Sequence, residues 1–409
     1  FFREAAWHFD LERRCDGSFV YDGGEQYGAG KTEDNTYYGK SGYYGLSPTA
    51  SYVLTYALPL KKLLITGREA DPALWLKPAE VKEAVASGRL DVTRKRMSAD
   101  ELLNALGDWS PVARSWAAAE LAARPEAAAF VPRLLGLAQG SDARSRQAAC
   151  EALGTMKCPQ ALPVLIRLLE HPDRGLRVKA AGALRAMGDA AAPGLPDVLG
   201  AAVRSAEPPF PVAWDDPVQL THSELAACLF EGPLKKQVEA LEVRQLYPVI
   251  RMFLKVPDGM ARAKLRGYLE RRLSAEDVQA LGPELAEAVA TRCPADTMFG
   301  SEVRMGAFKA LTRHGFKEGL EAGLVFARTQ GGHGSENRTG EIMRELARYG
   351  TAGRGALPAL RGLIDELNAQ CRRNEFPAGA LNERRVKAVQ EAIRSIETAT
   401  GQPELRSFA

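Results

Sequence analysis

Apolar and polar positions recur with a period close to 32 residues between positions 108 and 206. Three arginines separated by 32 and 31 residues mark this period: Arg114, Arg146 and Arg177. An alanine follows each arginine three positions later, and a leucine follows it seven positions later, at Ala117, Ala149 and Ala180 and at Leu121, Leu153 and Leu184. A proline then opens a second apolar stretch, at Pro132, Pro163 and Pro196.

This pattern predicts pairs of helices that stack on one another. Alanine in the first helix lets a neighbouring helix approach closely, and the leucine one turn later fills the groove between them. Proline suits the first turn of the second helix because the N–H it lacks would have no partner there. A single pair cannot bury its apolar face, so stability has to come from neighbouring pairs.

The same register returns near the C-terminus. Arg304, Ala307 and Leu311 repeat the spacing of three and seven within residues 301–400. The spacing of Leu346, Gly350 and Pro358 equals that of Leu184, Gly188 and Pro196. A last amphipathic helix over 382–397 is expected to cap the stack, and residues 401–409 follow it as a tail.

Residues 207–300 show a weaker pattern that predicts divergent helical repeats. The expected helices cover 218–230, 234–255, 259–272 and 275–290, and Ser274 begins a sequence typical of a helix cap. Residues 68–107 are expected to be a helical connector, with helices over 77–87 and 98–106.

The regular part, residues 108–206, closely resembles HEAT repeats. That resemblance implies an all-α solenoid of helix pairs whose second helices line a broad concave surface. Such a surface predicts a protein partner and a scaffolding role without catalysis.

The first 67 residues have a different composition. They hold 13 of the 30 aromatic residues within positions 1–66, together with eight glycines, whereas the chain beyond residue 100 is rich in Ala, Leu and Arg. The stretch from Trp7 to Phe19, which ends in Asp-Gly-Ser-Phe, resembles the repeated element of α/α-toroids such as terpene cyclases and protein prenyltransferases. The resemblance implies that residues 1–67 are a C-terminal toroid fragment, as in a poorly characterised family of large bacterial proteins.

The sequence opens on Phe1 without a methionine, so we expect the start of the protein to be missing. A signal peptide could have preceded it, which leaves a periplasmic or secreted location open. Lys and Arg number 54 against 51 Asp and Glu, a net charge of +3 that predicts no nucleic-acid partner. No apolar run is long enough to span a membrane, and no motif indicates a metal, a cofactor or a catalytic centre.

The Gly- and Tyr-rich loop of the N-terminal segment is a candidate carbohydrate site. Acidic and aromatic residues crowd it: Asp22, Glu25, Tyr37, Tyr38, Tyr43 and Tyr44. Aromatic rings can stack on sugars, and paired carboxylates can serve acid/base chemistry. The alternative is that the acids are turn residues and the tyrosines pack the loop onto its helices.

A second candidate site lies on the second helices of the repeats. Arg133, Arg167 and Arg361 should project near the concave face, where they could receive acidic groups of a partner. The alternative is that they are solvated surface residues. Two functions therefore compete: a non-catalytic scaffold, and an accessory HEAT domain of a toroid enzyme that acts on glycans and lies mostly outside this chain.

The carbohydrate hypothesis predicts glycan binding that depends on the aromatic loop. We expect the protein to bind members of a glycan array, and we expect Tyr43→Ala and Asp22→Ala to abolish that binding by removing a stacking face and a carboxylate. Equal silence of the wild type and both variants would remove the support for a carbohydrate site.

Overall fold

In the computed structural model, the chain divides into two compact units, Phe1–Arg89 and Leu90–Ala409. The structure describes residues 77–79, 82, 90–108, 111–204, 217–232, 234–256, 259–291, 300–330, 334–373, 379–401 and 403–408. The second unit therefore carries almost all of the description below. The predicted toroid fragment, residues 1–67, lies outside the described residues.

The second unit is built from helices. In chain order they are α1 Leu90–Thr93, α2 Ala99–Ala105, α3 Pro111–Ala123, α4 Val131–Ala138, α5 Ala143–Thr155, α6 Leu162–Leu168, α7 Arg174–Met187, α8 Leu195–Arg204, α9 Pro217–Ala226, α10 Lys235–Ala240, α11 Tyr247–Lys255, α12 Gly259–Arg272, α13 Ala275–Ala290, α14 Gly300–Arg313, α15 Glu318–Thr329, α16 Ser335–Ala347, α17 Leu357–Arg372 and α18 Ala380–Thr398. Within the described residues, the β structure is one isolated parallel bridge between Phe316 and Arg406.

These helices form a stack of two layers. The first helices of the pairs, here called A helices, are α3, α5, α7, α9, α12, α14 and α16, and α18 continues their row. The second helices, here called B helices, are α4, α6, α8, α11, α13, α15 and α17. Successive A helices pack on one another in chain order, and so do the B helices from α6 onward. The predicted solenoid of helix pairs agrees with this arrangement.

The alanine and leucine of the period occupy interior positions in the A helices. Leu121, Leu153 and Leu184 are each fully buried, and so are Ala117, Ala149 and Ala180. The prolines of the period are the second residues of α4, α6 and α8. The period therefore reflects how each pair covers the next.

The arginine that marks the period has a structural role that the sequence did not reveal. Arg114 donates from its guanidinium to the carbonyl oxygen of Asp108 at 2.7 Å. Arg177 donates in the same way to the carbonyl oxygen of His171 at 2.7 Å. Both acceptors lie six residues earlier, so the arginine ties the incoming loop to the start of its A helix.

Two equivalent turns confirm the register near the C-terminus. Gly188 and Gly350 have φ angles of 66° and 51°, a conformation that glycine adopts without steric cost. Each begins a 3₁₀ helix of seven residues, Gly188–Gly194 and Gly350–Ala356, that leads into a B helix.

The prediction of a single helix over 234–255 is wrong. The structure has α10 and α11 there, separated by a 3₁₀ helix over Val243–Leu246. Pro248 stands at the first turn of α11, where a ring without an N–H can begin a helix but cannot continue one. The predicted cap at Ser274 is confirmed, because its side chain accepts a hydrogen bond from the Asp277 N–H.

The C-terminal segment, residues 399–408, packs back onto the stack. Gly401 accepts hydrogen bonds from Thr351, and the backbone of Arg406 bonds to Gly315 and Lys317. The Phe408 ring stacks on Phe316 with centroids 5.1 Å apart. The segment predicted only as a tail therefore joins several repeats.

Close packing of neighbouring A helices can be tested with two glycines. A Cβ at Gly154 on α5 would lie 2.6 Å from the Cα of Ala183 on α7, whereas a Cβ at exposed Gly136 on α4 would meet nothing within 4 Å. We expect Gly154→Ala to lower the free energy of unfolding by about 1–3 kcal/mol through overpacking. Gly136→Ala should raise it by about 0.5–1 kcal/mol through helix propensity.

Urea denaturation followed by far-ultraviolet circular dichroism measures both changes. A neutral or stabilising Gly154→Ala would contradict the tight contact between α5 and α7.

Candidate interaction surface

The predicted carbohydrate residues Asp22, Glu25, Tyr37, Tyr38, Tyr43 and Tyr44 lie outside the described residues. Their role as a site remains a prediction from sequence.

The three predicted arginines all lie on B helices and are exposed. Arg133 on α4 forms an ion pair with Asp100 on α2, with a nitrogen–oxygen distance of 2.6 Å. Arg361 on α17 pairs with Glu397 on α18, also at 2.6 Å. These two arginines therefore reach from one element of the stack to a neighbouring one.

Arg167 makes the same kind of contact with a neutral partner. It lies on α6 and donates to the side-chain oxygen of Gln139 at 3.1 Å. Gln139 caps the C-terminal end of α4, so this contact too joins successive B helices.

Three further arginines continue this row, and the sequence analysis did not find them. Arg204 pairs with Glu170, Arg251 with Glu284 and Arg328 with Glu366. Each pair joins residues separated by roughly one repeat, from 33 to 38 positions apart in the sequence. The recurrence of an arginine on successive second helices was the available signal, but its partners depend on the register of the stack. We call the surface around these six arginines the B surface.

The ion pairs of the B surface are exposed. The side chains of Arg133 and Asp100 are 54% and 79% exposed, and those of Arg361 and Glu397 are 59% and 40% exposed. Exposed ion pairs contribute about 0–1 kcal/mol to stability, because water competes for both charges. These arginines can therefore exchange an acid of the stack for an acid of a partner at little cost.

The A helices carry a charged network of a different kind. Arg266 on α12 binds Glu270, Glu302 on α14 and Glu341 on α16, and Lys309 on α14 also binds Glu270 and Glu341. Burial alone would raise the pKa of Glu341, but the hydrogen bond from Lys309 and the charge of Arg266 lower it. This half-buried network joins three A helices and serves the stack itself.

The second unit offers little to support chemistry at a metal or a thiol. Within the described residues, no group of three or more His, Cys, Asp or Glu side chains is arranged to hold a metal ion. Burial raises the pKa of the Cys150 and Cys228 thiols to about 12. None of the described helices is both long and apolar enough to span a membrane.

Two family models match the chain. Residues 131–209 match HEAT repeats, and residues 1–67 match a domain of unknown function (DUF6288). A search of curated proteins finds no match. The second unit thus contains HEAT-like helical repeats, a class of scaffold and interaction module. The N-terminal match does not confirm the toroid resemblance, which remains a prediction.

The buried cysteines give a direct test of the packed interior. Thiolates, not thiols, react with iodoacetamide, and at pH 8 a thiol with a pKa of about 12 is protonated. We expect Cys150 and Cys228 to resist alkylation in the native protein while the partly exposed Cys371 reacts. Peptide mass spectrometry with and without urea gives the readout, and equal native rates for Cys150 and Cys371 would contradict the packing.

Proposed function

We propose that the second unit is a non-catalytic interaction module that binds a protein partner through the B surface. The observation that carries this proposal is the row of six exposed arginines, one on each of six B helices. In a helical repeat stack, such a row offers evenly spaced contacts along an extended surface. Acidic side chains of a partner can form bidentate hydrogen bonds with these guanidinium groups.

The charge balance of the B surface favours a protein over a polyanion. Five of the six arginines have an acidic neighbour in the stack: Arg133, Arg204, Arg251, Arg328 and Arg361. A nucleic acid binds mainly through a continuous excess of positive charge, and the net charge of the chain is only +3. A partner with dispersed acidic and basic residues matches this pattern better.

The scarcity of exposed apolar side chains favours polar recognition. Among the described residues, the exposed large hydrophobic side chains are Val325 at 37% and Leu405 at 36%. A large exposed apolar patch is typical of obligate interfaces. Val325 lies on α15 close in sequence to Arg328, so it can supply an apolar contact within a polar interface.

The alternative function is that of an accessory domain in a toroid enzyme that acts on glycans. It depends on residues 1–67, and the family model that matches them carries no activity. Nothing in the described residues favours this alternative over the scaffold.

A photo-crosslinking residue can test the proposed surface without knowledge of the partner. We expect a crosslinker in place of Val325 on α15 to trap a discrete protein in the native host. The matched control replaces exposed Arg271 on α12, an A helix, and should trap none. Arg328→Glu together with Arg361→Glu should reduce the adduct about fivefold or more, because both reversals repel an acidic partner.

The trapped protein is identified by mass spectrometry, and its binding to the purified chain is then measured directly. Equal adducts from both positions, or a yield that the charge reversals do not change, would contradict the proposed surface.

A further inference from the structure

A groove of about 890 Å³ lies between α16 and α18, two helices of the A layer. The two helices run parallel. Near their N-terminal ends, the charge of Glu336 acts on Arg385, and beyond their C-terminal ends Thr351 bonds to Gly401. The groove therefore follows both helices in the same direction.

The groove has many short side chains along its length. They are Gly340 and Ala347 of α16, and Ala388, Ala392 and Ser395 of α18. Short side chains let the backbone of a ligand approach the helices closely. The lining from Glu336 to Arg348 spans twelve residue steps of α16, about 18 Å at the helical rise. An extended peptide of about five or six residues has this length.

Three exposed arginines also line the groove. Arg344 and Arg348 stand one turn apart on α16, and Arg384 stands on α18 near its N-terminal end. Arg348 forms an ion pair with Glu345 at 3.2 Å. Within the part of the chain that the structure describes, Arg344 and Arg384 form no ion pair. Two cations of the groove are thus available to a ligand.

Most carboxylates of the groove already have partners. Glu341 binds Lys309 at 3.1 Å, Glu345 accepts from the Thr312 hydroxyl at 2.6 Å, and Glu391 lies 4.0 Å from Lys387. These contacts neutralise or hold the acids, so they do not cancel the charges of Arg344 and Arg384.

Glu336 is the exception among the acids. Its Oε2 atom is shielded from solvent and has no hydrogen-bond partner. A buried acceptor without a donor costs about 1–3 kcal/mol. A backbone N–H or a hydroxyl group of a ligand in the groove would remove that cost.

We propose that this groove binds a short acidic segment of a partner protein in an extended conformation. Carboxylates of the segment pair with Arg344 and Arg384, and a donor of its backbone satisfies Glu336. A free phosphate ion is too small to reach arginines on both helices along a groove of this length, so a peptide is the better occupant. This site lies in the A layer and does not depend on the B surface.

Selection from a random 12-residue peptide display library on the full chain tests the proposal. We expect enriched peptides to carry an excess of Asp and Glu. Fluorescence anisotropy with a labelled enriched peptide should show that Arg344→Gln and Arg384→Gln each weaken binding about tenfold, the equivalent of one lost charged hydrogen bond. Arg394→Gln, an exposed arginine of α18 outside the groove lining, is the matched control and should leave the affinity unchanged.

Two additional measurements distinguish the groove from the B surface and from a simple anion site. Arg133→Glu with Arg361→Glu on the B surface should not change the affinity for the peptide, so the two proposals can fail independently. Inorganic phosphate at millimolar concentration should not displace the peptide. The proposal is overturned if no peptide is enriched, if the enriched peptides lack acidic residues, if either groove variant binds like the wild type, or if phosphate competes fully.

Discussion

The structure depends on the burial of one A helix against the next. The leucines of successive pairs, Leu121, Leu153 and Leu184, are inaccessible to water only because a neighbouring pair covers them. Small residues at the contact, such as Ala149 and Gly154, bring the backbones close enough for this cover to be continuous. Each pair therefore gains its stability from its neighbours, as expected for a repeat array.

The surface chemistry follows from the same arrangement. A stack places equivalent positions of successive B helices side by side, so an arginine on one helix meets an acid about one repeat away, as Arg204 meets Glu170. Where contacts are exposed, they can be exchanged for a partner. Where they are half-buried, as around Arg266 and Glu341, they join the A helices instead. Exposure separates the surface proposed for recognition from the network that maintains the fold.

The repeats could be predicted because their period is local and depends on side-chain size. Other features could not, because they depend on contacts between distant residues. The ion pairs of Arg251 and Arg328 require the register of the stack, and the bond between Arg406 and Lys317 joins positions 89 apart in sequence. The break before α11 was visible as Pro248, but the apolar pattern ran across it. For the carbohydrate site, the sequence remains the basis of the prediction.

The most direct test of the account compares one helix pair with three. A peptide covering α5 and α6, residues 142–170, and a fragment covering α3 to α8, residues 111–204, can be followed by circular dichroism during urea titration. The account predicts that the single pair is largely unfolded in water, because its apolar face is uncovered, whereas the three pairs unfold cooperatively. A single pair that is as helical and as cooperative as the longer fragment would contradict it.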